Sequence, residues 1–408
     1  MTGIAATAGT VLVVNCGSSS VKYRLLEPDD GRVLATGLAD RVGRDGSTLR
    51  HECDGGVHRL TGDLPTHGDA LMAIMNAFRE FGPDVDTARL LAAGHRVVHG
   101  GRCFVSPTIV DDTVLATIDE LAVLAPLHNP ANAEGIRVAR RVLPGIPHVA
   151  VFDTAFHATI PPRAATYAVP REWREEYGVR RYGFHGSSHA YVSRTAAGLL
   201  ARPLEEVDVV VLHLGNGASA CAVSGGRSID TSMGLTPLPG LVMGTRSGDV
   251  DPALPAHLSR VAGLTGQQVD DALNSRSGLL ALAGVADMRE VTARAAAGDR
   301  DADLALDVFA YRVRCYIGAY LAAMGGLHAV AFTGGIGENS AVVRARCLAG
   351  LEALGIAVDA GRNEAAAPPR PPGAVISPDG CAVTVLAVPT DEELEIARQA
   401  VSACRATT

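Results

Sequence analysis

Two stretches of the chain share one alternation of apolar run, glycine turn and returning apolar run. Residues 209–212 are four consecutive apolar positions that lead into His213-Leu214-Gly215-Asn216-Gly217, and apolar character resumes over 218–223. Near the start, residues 11–14 lead into Asn15-Cys16-Gly17-Ser18-Ser19-Ser20 and return through Val21-Lys22-Tyr23. Each reads as a β-hairpin. A third strand is expected after each, over 32–37 and 227–231. A repeat on this scale predicts two similar halves, each with its own sheet and glycine turn, holding a ligand between them. Without a Cβ, Gly215 and Gly217 leave main-chain N–H groups open to phosphate oxygens. A single glycine hairpin serves a tight turn equally well, so the weight lies in the two copies.

Residues 67–81 place Leu71, Ile74, Met75 and Phe78 at helical spacing, which predicts a helix packed on the first sheet. Residues 90–101 read as a buried strand ending in His95-Arg96-Val97-Val98-His99-Gly100-Gly101. Alternation puts Arg96 and Val98 on one face. A cation beside an apolar side chain suits a small carboxylic acid, and a surface ion pair would account for Arg96 as well. A helix over 111–124 is broken at Pro126-Leu127-His128-Asn129-Pro130, where Asn129 is read as the N-cap of a helix reaching 142. The strand over 148–152 delivers Asp153 at its carboxyl end, where open α/β sheets place their chemistry.

After the second hairpin, helices are expected over 249–261 and 265–274, with another opening at Asp287 as cap. A long buried helix is expected over 301–324, with Tyr311, Tyr316 and Tyr320 as core. The strand over 328–333 meets Gly334-Gly335-Ile336-Gly337-Glu338-Asn339-Ser340, a glycine turn opening a helix and a further anion or nucleotide surface. A closing strand over 383–388 leads to Thr390-Asp391-Glu392-Glu393, read as a capping box of Thr390 and Glu393 that leaves Glu392 free. His185 and His189 stand four apart, a spacing open to zinc, but Gly186 suits a turn and no third ligand is near.

Composition narrows the partners. At 408 residues the chain can hold two or three domains. A net charge of −8 offers no general attraction to nucleic acid or anionic membrane. The eight cysteines are scattered without a CxxC pair and read as reduced residues, and no apolar run is long enough for a membrane span, so a cytoplasmic protein is expected.

No GxxxxGK[ST] is present. The ordered motifs NCGSSSVKY (15–23), HRVVHGG (95–101), PLHNP (126–130), FDTAFH (152–157), YGFHGSSH (182–189), HLGNGAS (213–219), DTSMGLTPLPGLVMGTRSGDVDP (230–252), FTGGIGENS (332–340) and TDEE (390–393) resemble those of the acetate kinase family, within the superfamily of actin, Hsp70 chaperones and sugar kinases. The resemblance implies an α/β fold of two similar ribonuclease H-like domains, mixed sheets flanked by helices, with a cleft between them. It implies an N-terminal lobe 1–152 completed by 389–408, and a nucleotide-binding lobe 153–388. Asn15 and Glu392 would hold Mg²⁺, or Mn²⁺. Arg96 would take the acetate carboxylate, with Val98, Leu127, Phe184 and Pro237 walling its methyl group. Asp153, His185, Arg246 and His128 would be catalytic. Ser18, Ser20 and Lys22 would line the phosphate site. ATP or ADP would lie on His213, Leu214, Gly215, Asn216 and Gly217, on Asp287, Met288 and Arg289, and on Gly335, Ile336, Gly337, Glu338 and Asn339. Acetyl phosphate would be the other product or substrate, and the resemblance implies a homodimer.

A carboxylate nucleophile is already ionised at neutral pH, so Asp153 need not take a proton; it is expected to position the metal or orient Arg246. Ser187 stands where the family commonly has Thr, and Asp391 where it commonly has Asn, adding negative charge beside Glu392 that can alter metal preference. Three alternatives remain: a propionate or other short-chain fatty acid kinase, a nucleotide-dependent switch without an acceptor, and a zinc hydrolase built on His185 and His189.

Overall fold

Both glycine-turn hairpins form, in a computed structural model that describes residues 9–83, 85 and 90–406. Residues 1–8, to which the sequence assigns no role, lie outside the described residues. The chain divides into two units, Met1–Phe156 with Asp391–Thr408, and His157–Thr390.

The first unit carries β1 (Thr10–Cys16), β2 (Ser20–Leu26), β3 (Val33–Asp40), β4 (Thr48–Cys53), β5 (Gly56–Thr61), β6 (Leu90–Val97), β7 (Thr108–Ile109) and β8 (His148–Phe152). They form one sheet in the order β5-β4-β3-β2-β1-β6-β8-β7. The second unit carries β9 (Asp208–Leu214), β10 (Ala218–Ser224), β11 (Arg227–Thr231), β12 (Ala329–Thr333), β13 (Ala374–Val375) and β14 (Thr384–Ala387), in the order β11-β10-β9-β12-β14-β13. The first sheet therefore contains the second's six-strand pattern and extends it with the β4–β5 hairpin. In each, the hairpin pair is antiparallel and the next two strands are parallel. Register deepens the match: Asn15 pairs with Lys22 as His213 pairs with Ser219.

Helices cover these sheets because alternate strand residues are apolar on both faces. Helices His67–Phe81 and Asn129–Val142 pack together over β1 and β2, burying Leu12, Val14, Tyr23, Ile74, Phe78 and Val138. Contact is close enough that a Cβ at Gly135 would meet the Cys16 sulfur. The C-terminal helix Glu392–Ala406 packs on β6, β1 and β8, where a Cβ at Gly94 would lie 2.9 Å from Ile396 Cγ2. In the second unit, helix Gly186–Leu199 lies on β9 and β12, and helix Arg300–Met324 lies on β9 and β10.

Several expected elements change. The helix placed over 249–261 begins at Leu254, because Asp249 accepts from Gly240 N at 2.8 Å and from Tyr316 Oη at 2.7 Å within a loop. The long helix buries one face only: Tyr320 is core, but Tyr311 is 61% exposed. The capping box of Thr390 and Glu393 does not form. Asp391 Oδ1 accepts from Leu394 N at 2.9 Å, and Glu393 pairs with Lys22 and Arg24. Asn129 is not an N-cap either; its buried amide accepts from His99 N at 3.1 Å and donates to His99 O at 3.0 Å.

Candidate active site

In the first unit, strand ends bring the chemistry together. Arg96 pairs in register with Val151, and Asp153 follows β8, with its N–H donating to Val97 O at 2.9 Å. The Asp153 carboxylate takes the Arg96 guanidinium through Nε at 2.9 and 3.2 Å and through Nη2 at 2.7 Å. This is a charge-assisted fork with Asp153 only 2% exposed. Asp153 raises the Arg96 pKa against the opposing effect of burial, so the guanidinium is a fixed positive charge.

Val98 follows the strand and is buried. Its N–H donates to Asn132 Oδ1 at 3.1 Å, while Asn132 Nδ2 donates to Cys16 O at 2.7 Å. One buried asparagine thus ties the end of β6, carrying Arg96 and Val98, to the end of β1, carrying Asn15. Sequence reasoning missed this residue; a polar side chain on the inner face of an apolar helix was the available signal. Leu127 and His128 sit in the exposed loop before helix Asn129–Val142, with Leu127 75% exposed. Ser18 is exposed in the β1–β2 turn, whose Gly17 N donates to Ser20 O at 2.8 Å. Lys22 is bound to Glu393.

Glu392 and Glu393 open the C-terminal helix with opposite electrostatics. Burial raises the Glu392 pKa, and Arg96 only partly offsets it. Burial would raise Glu393 too, but Arg24 and Lys22 outweigh it and the pKa falls. Glu392 is thus a carboxylate short of positive charge. A carboxylate such as Glu392 and an amide oxygen such as that of Asn15 are the hard-oxygen donor types that would suit Mg²⁺, which commonly uses one or two protein ligands plus phosphate and water. Asp391 is neutralised by Arg24 Nη1 at 2.7 Å, so its extra charge is already paired.

In the second unit the glycine turn is the centre. A Cβ on Gly217 would lie 3.4 Å from Arg246 Nη2 and 3.8 Å from His185 Cε1, so both side chains converge on that turn. Arg246 Nη1 donates to Pro237 O at 2.8 Å, which links the two positions. Burial lowers the Arg246 pKa, and no carboxylate among the described residues forms an ion pair with it. His185 adopts the left-handed conformation at φ 57°, just before helix Gly186–Leu199. A non-glycine residue held there is a strained feature that marks functional positions. Its ring stacks on His213 with centroids 4.2 Å apart. His185 Nδ1 and His189 Nε2 both meet the Ser219 hydroxyl, at 2.9 and 2.8 Å, rather than presenting a joint metal site. Buried Phe184 is held through its carbonyl, which accepts from His157 Nε2 at 2.9 Å.

Beside this turn lies a cavity of about 860 Å³ lined by Gly215, Asn216, Asp287, Met288, Arg289, Gly335, Ile336 and Asn339, with Ala286, Thr292 and Ser340 unforeseen. Asp287 is the N-cap expected, accepting from Arg289 N at 2.9 Å, and it also pairs with the exposed Arg289 guanidinium. His213, Gly217 and Gly337 lie outside the lining, as do Leu214 and Glu338. Leu214 is fully buried in the sheet. Glu338 Oε1 instead accepts from Gly334 N at 2.9 Å and Thr390 N at 3.0 Å, fixing the second glycine turn.

Matched mixed sheets, each with a glycine turn and covering helices, define the α/β class of actin, Hsp70 and the sugar kinases. Residues 10–398 match the model of the Acetokinase family, and the chain belongs to that family. It is 58% identical over 397 residues to an acetate kinase of Leifsonia xyli subsp. xyli (strain CTCB07), covering 97% of this chain and 99% of that one. It is 48% identical to an acetate kinase of Thermotoga maritima, covering 95% and 97%. Among solved structures, Porphyromonas gingivalis acetate kinase is 42% identical with a TM-score of 0.92, covering 97% and 100%. A propionate kinase from Francisella tularensis subsp. tularensis SCHU S4 is 40% identical with a TM-score of 0.89, covering 96% and 98%.

Proposed function

We propose that the chain is an ATP:acetate phosphotransferase, reversibly moving the γ-phosphoryl group of ATP to the acetate carboxylate to give acetyl phosphate and ADP. The observation that carries the reading is the convergence of Arg246 and His185 on the Gly217 turn, at the edge of a nucleotide-sized cavity, in a chain of the acetokinase family.

In this reading Arg96, aligned by Asp153, binds the carboxylate, and Val98, Leu127, Phe184 and Pro237 bound the methyl group. One carboxylate oxygen attacks the γ-phosphorus in line, the bond to the β–γ bridging oxygen breaks, and ADP leaves with that electron pair. No proton need be removed, so catalysis rests on positioning and on neutralising the equatorial oxygens. Arg246 and His185 donate to those oxygens, with His128 and Lys22 near the phosphate chain and Ser18 and Ser20 on the glycine turn of the first unit. Asn15 and Glu392 would hold Mg²⁺, which supplies further neutralisation of phosphate charge. The adenine nucleotide occupies the cavity of the second unit. A homodimer and a cytoplasmic location accompany the reading; the exposed Leu304 and Tyr311 on helix Arg300–Met324 offer a contact face.

The likeness to a propionate kinase favours one second reading, a preference for the longer acid. One methylene is worth only about 1–3 kcal/mol, so selectivity is a matter of degree. ADP release measured with acetate, propionate, butyrate and no acid tests both. Acetate-dependent release with acetate ahead in kcat/KM is expected. A propionate preference selects the second reading, and acid-independent release overturns both.

A further inference from the structure

Ser219 lies on β10, fully buried, and its single hydroxyl faces two imidazoles: His185 Nδ1 at 2.9 Å and His189 Nε2 at 2.8 Å. A serine hydroxyl has one proton to donate and two lone pairs. At least one of the two rings must therefore donate an N–H to it. His189 is fully buried, and its Nδ1 has no hydrogen-bond partner. Burial, with His157 and His213 nearby, lowers the His189 pKa well below the ordinary value, so the ring is neutral and carries one proton. With that proton on Nδ1, a buried N–H would be orphaned, an arrangement that is rare and costs the full desolvation of a donor. On Nε2 it has an acceptor in Ser219. Among the described residues the Ser219 hydroxyl has no other hydrogen-bond partner, so with His189 Nε2 donating to it, its own proton finds an acceptor only in His185 Nδ1, and the proton of a neutral His185 sits on Nε2.

We propose that His189 and Ser219 form a hydrogen-bond relay that holds His185 as the neutral tautomer protonated on Nε2. The inference rests on the reading of His185 as a phosphoryl-site donor and supplies what that role needs: a fixed donor nitrogen on the ring edge opposite Ser219. The other groups facing the ring agree with a neutral donor. Arg246 approaches the same Gly217 turn, and the His213 ring stacks on His185, so a second full charge on His185 would be opposed by its neighbours. The left-handed backbone at His185 fixes where the ring starts, and the relay fixes its protonation. Ser219 and His189 are positioning residues, acting on substrate only through His185. This also accounts for two histidines at zinc-like spacing with no metal role.

The test combines ¹⁵N NMR of the histidine rings with kinetics of the full-length protein. In the parent, His185 should show a protonated Nε2 and a lone-pair Nδ1 at neutral pH. Ser219→Ala should mix the His185 tautomers and lower kcat by roughly 10- to 100-fold, short of the loss from deleting a donor outright, with little change in either KM. Ser219→Thr keeps the hydroxyl and should recover most of the loss. His189→Leu should behave like Ser219→Ala, while His189→Gln, whose amide can donate to Ser219, should behave like Ser219→Thr; this pair carries the test should Ser219→Ala fold poorly. A parent His185 protonated on Nδ1, or an unchanged His185 tautomer in both Ser219→Ala and His189→Leu, overturns the relay. Full turnover in His185→Ala overturns instead the assignment of His185 to the phosphoryl group, and is told apart because the parent ring spectrum does not depend on it.

Discussion

Asp153 holds Arg96 by two carboxylate oxygens against Nε and Nη2, with the closest contact at 2.7 Å. The sequence suggested that Asp153 serves the metal or Arg246; within its own unit the group it orients is Arg96. Among the described residues no hydrogen bond engages Arg96 Nη1, so the Nε and Nη2 edge is clamped while Nη1 is left unbonded, as the proposed carboxylate-binding role requires.

Arg96→Ala should therefore act twice. It removes the cation proposed to bind the acid and strands a buried carboxylate, for which about 2–4 kcal/mol of stability is expected, given that Arg96 is partly exposed. Arg96→Lys should keep more stability but lose the fork, raising the acetate KM roughly 10- to 100-fold. Urea unfolding and initial-rate kinetics separate the effects; equal stability loss in both variants would mean that Asp153 needs the fork itself and that a retained positive charge is not enough, contrary to this prediction.

Glu392 and Glu393 should give opposite pH signatures. The Glu392 pKa is raised in the fold, so its contribution is fully present below the unfolded value of about 4.3 and is lost as pH rises through the folded value. Glu392→Gln should thus be more stable than the parent at pH 7.5 without metal, with no advantage near pH 4, while turnover falls by about two orders of magnitude. Glu393, with its pKa lowered, contributes stability above about 4.3 that is lost as pH falls through the folded value. Glu393→Gln should be less stable at pH 7.5, the difference closing in acid. Melting curves across pH check both signs.

Asp391 was expected to disturb metal preference by adding charge. Its pairing with Arg24 and its cap on Leu394 N predict instead a structural effect. Asp391→Asn keeps a good cap and should change stability by less than about 1 kcal/mol, with the Mg²⁺ to Mn²⁺ activity ratio unchanged. Asp391→Ala should cost about 1 kcal/mol more. A shifted metal ratio in Asp391→Asn would restore the original expectation.

What the sequence disclosed follows from where the signals are local. Helix His67–Phe81 and strand β8 match their expected bounds, because an amphipathic period and an uninterrupted apolar run are each complete within the segment. The β4–β5 hairpin was missed: at the edge of the sheet Arg50, His51, Glu52, His58 and Arg59 dilute the alternation, and only one face is covered. Thr390 and Asn129 misled because both have good capping chemistry, while tertiary partners claimed their side chains: Ser188 Oγ at 2.9 Å from Thr390 Oγ1, and the His99 backbone for Asn129. The site motifs named the residues that bear charge. They did not reveal Asn132 or Ser219, whose roles arise only when strand ends and helices meet.

The two glycine turns of the second unit offer the sharpest contrast between shape and function. At Gly334, φ is +76° and a Cβ would stand 2.8 Å from Leu214 O, a backbone atom that cannot yield. Gly334→Ala should therefore destabilise the protein, with the left-handed strain alone costing about 1–2 kcal/mol. At Gly217 the nearest atoms to a methyl group are Arg246 Nη2 at 3.4 Å, Arg246 Nη1 at 3.8 Å and His185 Cε1 at 3.8 Å, ordinary contact distances. Gly217→Ala should fold with parent-like stability yet place a methyl group where Arg246 and His185 converge, lowering kcat by 10²-fold or about that, as loss of an aligned donor does. Thermal melts paired with turnover decide the matter. A Gly217→Ala enzyme that is as stable and as fast as the parent would mean that the transferring group does not pass this turn.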